Sequence, residues 1–451
     1  MVVQCNENCM IVVVLNDQNS LIGKRINKNF QQRDNHLQFG SSRTVSLISI
    51  VMASSNRKGQ FPLIELTIRW LRRIRFWNDT PGKPFPTIGS IIVVSYLLIW
   101  LIPSWLFTMT SQASVTSLIK AANEQIVFCS IFFKMCVFAL KFRRWESLFY
   151  DLQRAYSSVM DDMNLDIQRI LGHVEKSAYH LTKWYGYGIN FNCCVYGSLP
   201  MLFVAIKYAA TGSYDVPLST PIESNYLIPG YRTNFWIWFP LDIALSFLLS
   251  LHGVALFSIE CFSWNLVHAT SCLFRVLQIQ ANELSNQNER NDEWADKFSR
   301  FVNLHDLVLR SAGTLEEILR TQMLFIYAST VFELCLVMTV LSLAFKDLYL
   351  LITMFCVIGH CLFQTFSFSY LGTELIEESE SVADSIFHST WYIQNVNRQK
   401  DLCFALMRAK KPVSLTAGKF FVVKRESFTQ VIKQAYTIFT LMSQFLDDTV
   451  N

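Results

Sequence analysis

Long apolar runs alternate along this chain with stretches in which apolar residues recur at three- and four-residue steps. A helix crossing the hydrocarbon core of a bilayer needs about 20 mainly apolar residues. That template is met at 87–109, 124–140, 184–209, 235–262, 322–344 and 348–371. A seventh stretch, 426–445, is shorter and more polar, and it is the weakest of the seven by hydropathy. Between the runs, 273–320 and 374–408 are nearly free of Gly and Pro and space their apolar residues as helices do, for example Val382, Ile386, Trp391 and Val396. They read as amphipathic helices packed together beneath the membrane, the competing arrangement being separate helices lying on the bilayer surface. Glu374, Glu377, Glu378, Glu380 and Asp384 read as a solvated face of the second one. Residues 1–60 show no sustained period and are expected to form a disordered cytosolic extension. A start at Met52 is also expected to be usable, which would make residues 1–51 an upstream extension of the gene model.

Charge placement turns these spans into a topology. Lys and Arg number twelve through Lys83, seven in 141–183, six in 275–320 and eight in 398–425, whereas the opposite connections hold only Lys120, Lys207, Arg232 and Lys346. The positive-inside rule makes the first set cytosolic. The expectation is an all-α membrane protein with seven transmembrane helices, amino terminus in the cytosol and carboxy terminus outside. The receptor body would be 61–445 with 273–320 and 374–408 as cytosolic anchor helices. Composition agrees: 51% of residues are hydrophobic and 16% charged, against about 25% charged in soluble proteins.

No enzymatic constellation is present. H-E-x-x-H, G-x-S-x-G and G-x-x-x-x-G-K-[ST] are all absent, so no catalytic role, cofactor, metal site or nucleic-acid partner is expected. Ionisable residues within spans invite a functional reading. Glu333 and His360 lie near the middle of the fifth and sixth spans, where they could share a proton or a hydrogen bond. Either structural pairing or a gating or ligand role would account for Glu333. Lys134 lies nearer the cytosolic end and is expected to snorkel. In the seventh span, Gln430, Lys433, Thr437, Thr440 and Gln444 recur at steps of 3, 4, 3 and 4, placing them on one stripe, with Ile432, Tyr436, Phe439 and Met442 assigned to the opposite face. Copies of such a helix around an axis would line a pore; hydrogen bonding to helices of the same subunit explains the stripe equally well.

The stretch from Glu377 to Gln444, above all KPVSLTAGKFF (Lys411–Phe421) and SFTQVIKQAYTIFTLM (Ser427–Met442), resembles the signature of insect odorant receptors. Gustatory receptors are the nearer rival: their last span carries T-Y, five apolar residues and Q-F, where this chain has Thr437, Ile438, then Gln444 and Phe445. The G-protein-coupled class is disfavoured by the missing D/E-R-Y and N-P-x-x-Y motifs, and a transporter by the lack of internal repeats. The odorant receptor resemblance implies a ligand-gated, non-selective cation channel in the plasma membrane of sensory-neuron dendrites. It would assemble as a tetramer with the shared co-receptor subunit, surrounded by membrane lipid. It implies that the last span lines the pore, with Leu441 as hydrophobic gate and Thr437, Thr440 and Gln444 as polar neighbours. It further implies a small volatile odorant held in the outer half of spans two to six. There the candidates are Phe128, Phe132, Tyr196, Met201, Trp236, Phe239, Met354 and Phe355.

Overall fold

The computed structural model describes residues 62–78, 80–110, 114–160, 164–212, 218–284, 291–343 and 348–450. The expected disordered extension and the alternative start lie outside these residues. The chain runs α1 (Pro62–Arg73), α2 (Thr87–Thr110), α3 (Val115–Leu140), α4 (Phe142–Met160), α5 (Leu165–Thr211), α6 (Phe235–Glu283), α7 (Asn291–Leu343), α8 (Leu348–His388), α9 (Val396–Ala409) and α10 (Arg425–Val450). A two-stranded hairpin, β1 (Thr416–Ala417) and β2 (Phe421–Val422), joins α9 to α10. Among the described residues, α2, α3, α5, α6, α7 and α8 are long and apolar enough to cross a membrane. With α10, 26 residues long, they make the seven-helix fold of an all-α, multi-pass membrane protein.

Local chemistry sets several boundaries. Ser114, Asn164 and Asn234 cap α3, α5 and α6 by accepting a backbone N–H from the first turn. Gly212 ends α5 at φ 65°, where a side chain would be strained. Within α2, Leu97–Leu101 widen into a π turn directly before Pro103, because the proline ring has no N–H and displaces the preceding carbonyl. On α1, Ile64, Ile68 and Leu71 are buried while Arg69, Arg72 and Arg73 are exposed.

The segment 273–320 is made of continuations of α6 and α7, whereas 374–408 splits into the end of α8 and the separate helix α9. At about 1.5 Å per residue, α6, α7 and α8 with 49, 53 and 41 residues reach roughly 74, 80 and 62 Å, twice the hydrocarbon thickness or more. Their projecting halves form the base of the molecule. There Glu374 and Glu378 are not solvated as expected. Arg275 donates to Glu374 Oε1 at 2.8 Å and its Nε lies 2.7 Å from Glu378 Oε1, with His268 Nδ1 3.1 Å from Glu374 Oε2. Burial alone would raise the Glu374 carboxyl, but His268 and Arg275 more than reverse this and hold it below the usual range.

The KPVSLTAGKFF stretch forms the hairpin. Gly418 and Lys419 turn it through the left-handed region at φ 62° and 68°. It docks on α7 through Gly418 N–H to Arg320 O at 3.0 Å, Thr416 Oγ1 to Glu316 Oε1 at 2.5 Å and the Phe421 ring 5.3 Å from Tyr327. Against α8, Val413 N–H donates to Ser379 Oγ at 3.0 Å and Arg425 N–H to Thr373 Oγ1 at 2.9 Å.

Candidate functional site

Helix α10 leans on α7 and α8 with Val431 and Ala435 buried and Ile438 and Met442 half-buried; Met442 Sδ lies 3.3 Å from Cys335 Sγ, and Phe428 packs edge-on to Phe366. This differs from the face assigned by sequence. Ile432 and Tyr436 are 42% and 60% exposed, because the contact with α7 and α8 is set by small Ala435 and β-branched Val431 where the helices approach most closely. Of the candidate pore residues, Thr437, Leu441 and Gln444 are exposed and Thr440 is half-buried. One long face of α10 is therefore left uncovered by its own subunit.

At the end of the bundle opposite the base, the 218–234 connection folds over α2, α3 and the start of α6. Lys120 and Glu124, four residues apart on α3, are both buried. Lys120 Nζ donates to Glu223 Oε1 at 3.3 Å and sits 4.9 Å above the Tyr349 ring, while Glu223 N–H donates to Glu124 Oε2 at 2.8 Å. Tyr196 donates its hydroxyl to Glu124 Oε1 at 2.5 Å. Arg232 continues the network, donating to Ser224 O at 2.9 Å and lying 5.0 Å from the Phe107 ring. These charges explain why α3 begins at Val115 when hydropathy placed its span at 124–140: buried Lys120 and Glu124 dilute an apolar signal that mutual pairing makes unnecessary.

Beneath this roof the candidate ligand residues separate into two groups. Phe128 stacks on Trp100 at 6.0 Å, Phe132 on Tyr96 at 6.4 Å, Tyr196 is held by Glu124, Met201 is half-buried and Met354 is fully buried beside Val337 and Val340. Trp236, Phe239 and Phe355 are 81%, 41% and 65% exposed and lie on the outside of the bundle, so the inward placement expected of them is corrected. Aromatic residues satisfy a helix surface facing acyl chains as readily as a cavity, and hydropathy does not distinguish the two. His252, which sequence reasoning passed over, joins α2 to α6: Trp100 Nε1 donates to its Nδ1 at 3.2 Å and Ser95 Oγ lies 3.1 Å from its Nε2.

Deeper in the bundle, Lys134 does not snorkel. It is 1% exposed and donates to Glu260 Oε1 at 2.9 Å; Tyr185 and Gln364 donate to the same carboxylate. One buried acid thus accepts hydrogen bonds from α3, α5 and α8. Nor do Glu333 and His360 meet. Glu333 is buried, while His360 Nδ1 is buried without a partner among the described residues.

The profile of the 7tm Odorant receptor family matches residues 114–436, which takes in α3 to α9 and the first half of α10. The chain belongs to the odorant receptor family. It is similar to Odorant receptor 22a of Drosophila melanogaster, 24% identical over 264 residues, and to Odorant receptor 22b, 25% over 252. The matched stretches cover 53% and 51% of this chain but only 64% and 62% of those relatives. Its fold is that of the insect olfactory receptor OR5 from Machilis hrabei, solved in complex with eugenol, with a TM-score of 0.68 at 13% identity over 85% of this chain and 97% of that one. This odorant receptor is not an enzyme by family, and the odorant branch prevails over the gustatory one.

Proposed function

We propose that this receptor is the odorant-binding subunit of a ligand-gated, non-selective cation channel that assembles with a co-receptor in the plasma membrane of sensory-neuron dendrites. The observation that carries the proposal is the uncovered face of α10. Gln430, Lys433, Thr437 and Gln444 are exposed along it, and polar side chains at membrane depth persist where they meet water or another subunit, not acyl chains. Copies set around an axis would supply both. Leu441, 52% exposed beside that stripe, would form the apolar constriction that closes by dewetting.

The Machilis receptor's complex with eugenol supports a small aromatic or volatile ligand here, and Phe128, Phe132, Tyr196, Met201 and Met354 are the residues proposed to bound its site. The base would hold subunits together in the cytosol. Between α7 and α9 a groove of about 390 Å³ is flanked by Val302 and Phe404, and Phe404 and Met407 are 77% and 73% exposed, a surface suited to a neighbouring subunit. Burial and then Arg408 push His305 in that groove to about 4, so the imidazole stays neutral at cytosolic pH beside Asp306, Asp401 and Arg408, which line the same groove.

Co-expression with a co-receptor and an odorant panel under current recording tests the reading. Leu441→Ala is expected to leak cations without odorant, since a methyl ring leaves a constriction wide enough to wet. Gating identical to the wild type would remove Leu441 from the gate. The topology has its own check: an epitope appended at Asn451 should label on intact cells, and labelling that requires permeabilisation would reverse the orientation.

A further inference from the structure

Lys433 belongs to the stripe that distinguishes α10, yet neither gate nor ligand site uses it. It precedes Leu441 by eight residues, about 12 Å along the axis, and Gln444 by eleven, about three turns, which brings it to within roughly 20° of the direction of Gln444. Its side chain is exposed and forms no hydrogen bond or ion pair among the described residues. The contrast with the two lysines buried within crossing helices is informative. Lys120 is set against Glu124 and Glu223, and Lys134 against Glu260. The nearest acid before it on α10, Glu426, is paired with Lys424 at 3.7 Å. An ammonium left without a counter-charge on a crossing helix is strongly disfavoured against hydrocarbon. Flanked by exposed Gln430 and Thr437, it has the surroundings of a wetted wall.

We infer that Lys433 is a fixed positive charge in the wall of the ion path, on the cytosolic side of Leu441, and that it sets how readily divalent cations pass relative to monovalent ones. The inference rests on the channel reading above. A positive charge in the wall lowers the local cation concentration exponentially in the cation's own charge. At about 8 Å in water the reduction is roughly 2.4-fold for Na⁺ and, squared, roughly 6-fold for Ca²⁺, before salt screening trims both. Cation-selective pores are commonly lined with acidic side chains; a lysine contributed by the odorant-binding subunit works against that, and more so the more copies of this chain the channel holds.

The test is to record odorant-evoked currents from the wild type and from K433Q, K433E and K433R with the co-receptor, taking Na⁺ or Ca²⁺ as the main external cation. K433Q is expected to raise the Ca²⁺/Na⁺ permeability ratio about two-fold and to increase inward single-channel current. K433E should raise both further, and K433R should match the wild type. Half-maximal odorant concentration should not move in any of them, because Lys433 is remote from the proposed ligand residues. Unchanged permeability ratio and conductance in K433Q and K433E, with currents intact, would overturn the inference and place Lys433 at the headgroups. Absence of odorant current from the wild type itself would instead remove the channel reading, and this inference with it. Should K433E fail to reach the surface, K433Q carries the same comparison, since glutamine already occupies two positions of the stripe.

Discussion

Lys134→Met is expected to destabilise the fold by about 3–5 kcal/mol, the cost of stripping one partner from a buried ion pair, and to remove most of the receptor from the cell surface. The pair lies in the middle of the bundle, with Lys134 1% and Glu260 0% exposed and 2.9 Å between Nζ and Oε1. Neither group has water to fall back on. Tyr185 and Gln364 would still donate to Glu260, so part of the carboxylate's demand survives. Glu260→Gln offers Lys134 no comparable relief and should be at least as damaging. The double variant Lys134→Met with Glu260→Leu, which removes both charges together, should recover much of the loss, as replacing buried ion pairs by apolar residues often does. Thermal unfolding of detergent-solubilised receptor and surface labelling read the outcome. A single variant as stable as the wild type would mean that the pair is dispensable and that its two ions find other partners.

The legible parts of this fold were those written in apolar run length. Six spans could be placed from hydropathy because a run such as 348–371 leaves a helix no alternative to lipid. The seventh was legible from its stripe, since spacing of 3 and 4 survives where hydropathy fades. Pairings that depend on three dimensions were not legible. Lys134 finds Glu260 across 126 positions, and Lys120 finds Glu223 across 103. Each of these looks from sequence like a lone charge to be explained away, and only the juxtaposed helices supply the counter-ion. Helix rotation was the other missing quantity. Met354 and Phe355 are neighbours in the chain, yet one is 0% and the other 65% exposed, so a list of aromatic residues at the right depth necessarily mixes wall with outer surface. The KPVSLTAGKFF motif was recognisable as a resemblance before it was intelligible as a structure. Gly418 and Lys419, both in the left-handed region, show why its glycine stands where it does: a hairpin this tight has to reverse direction over the three residues between Ala417 and Phe421.

Gly372→Ala is expected to uncouple the hairpin from α8 and abolish or strongly right-shift odorant responses while leaving much of the receptor at the surface. A Cβ built at Gly372 would lie 2.4 Å from Val423 O and 3.1 Å from Val423 Cγ1, and the first of these is backbone that cannot swing aside. The overpacking should cost about 1–3 kcal/mol, relieved by moving the segment that leads directly into α10. That segment is held on α8 by Arg425 N–H to Thr373 Oγ1 and on α7 by Gly418 N–H to Arg320 O. Its displacement would therefore tilt the proposed pore helix relative to the helices proposed to read the ligand. Gly359→Ala on the same helix provides the contrast, because nothing lies within 4 Å of its added Cβ, and alanine there should be neutral or stabilising by about 0.5–1 kcal/mol. Dose–response curves and surface labelling of the two variants side by side decide the matter. If Gly372→Ala responds to odorant as Gly359→Ala does, the hairpin's seat on α8 is not what connects ligand-facing helices to the pore.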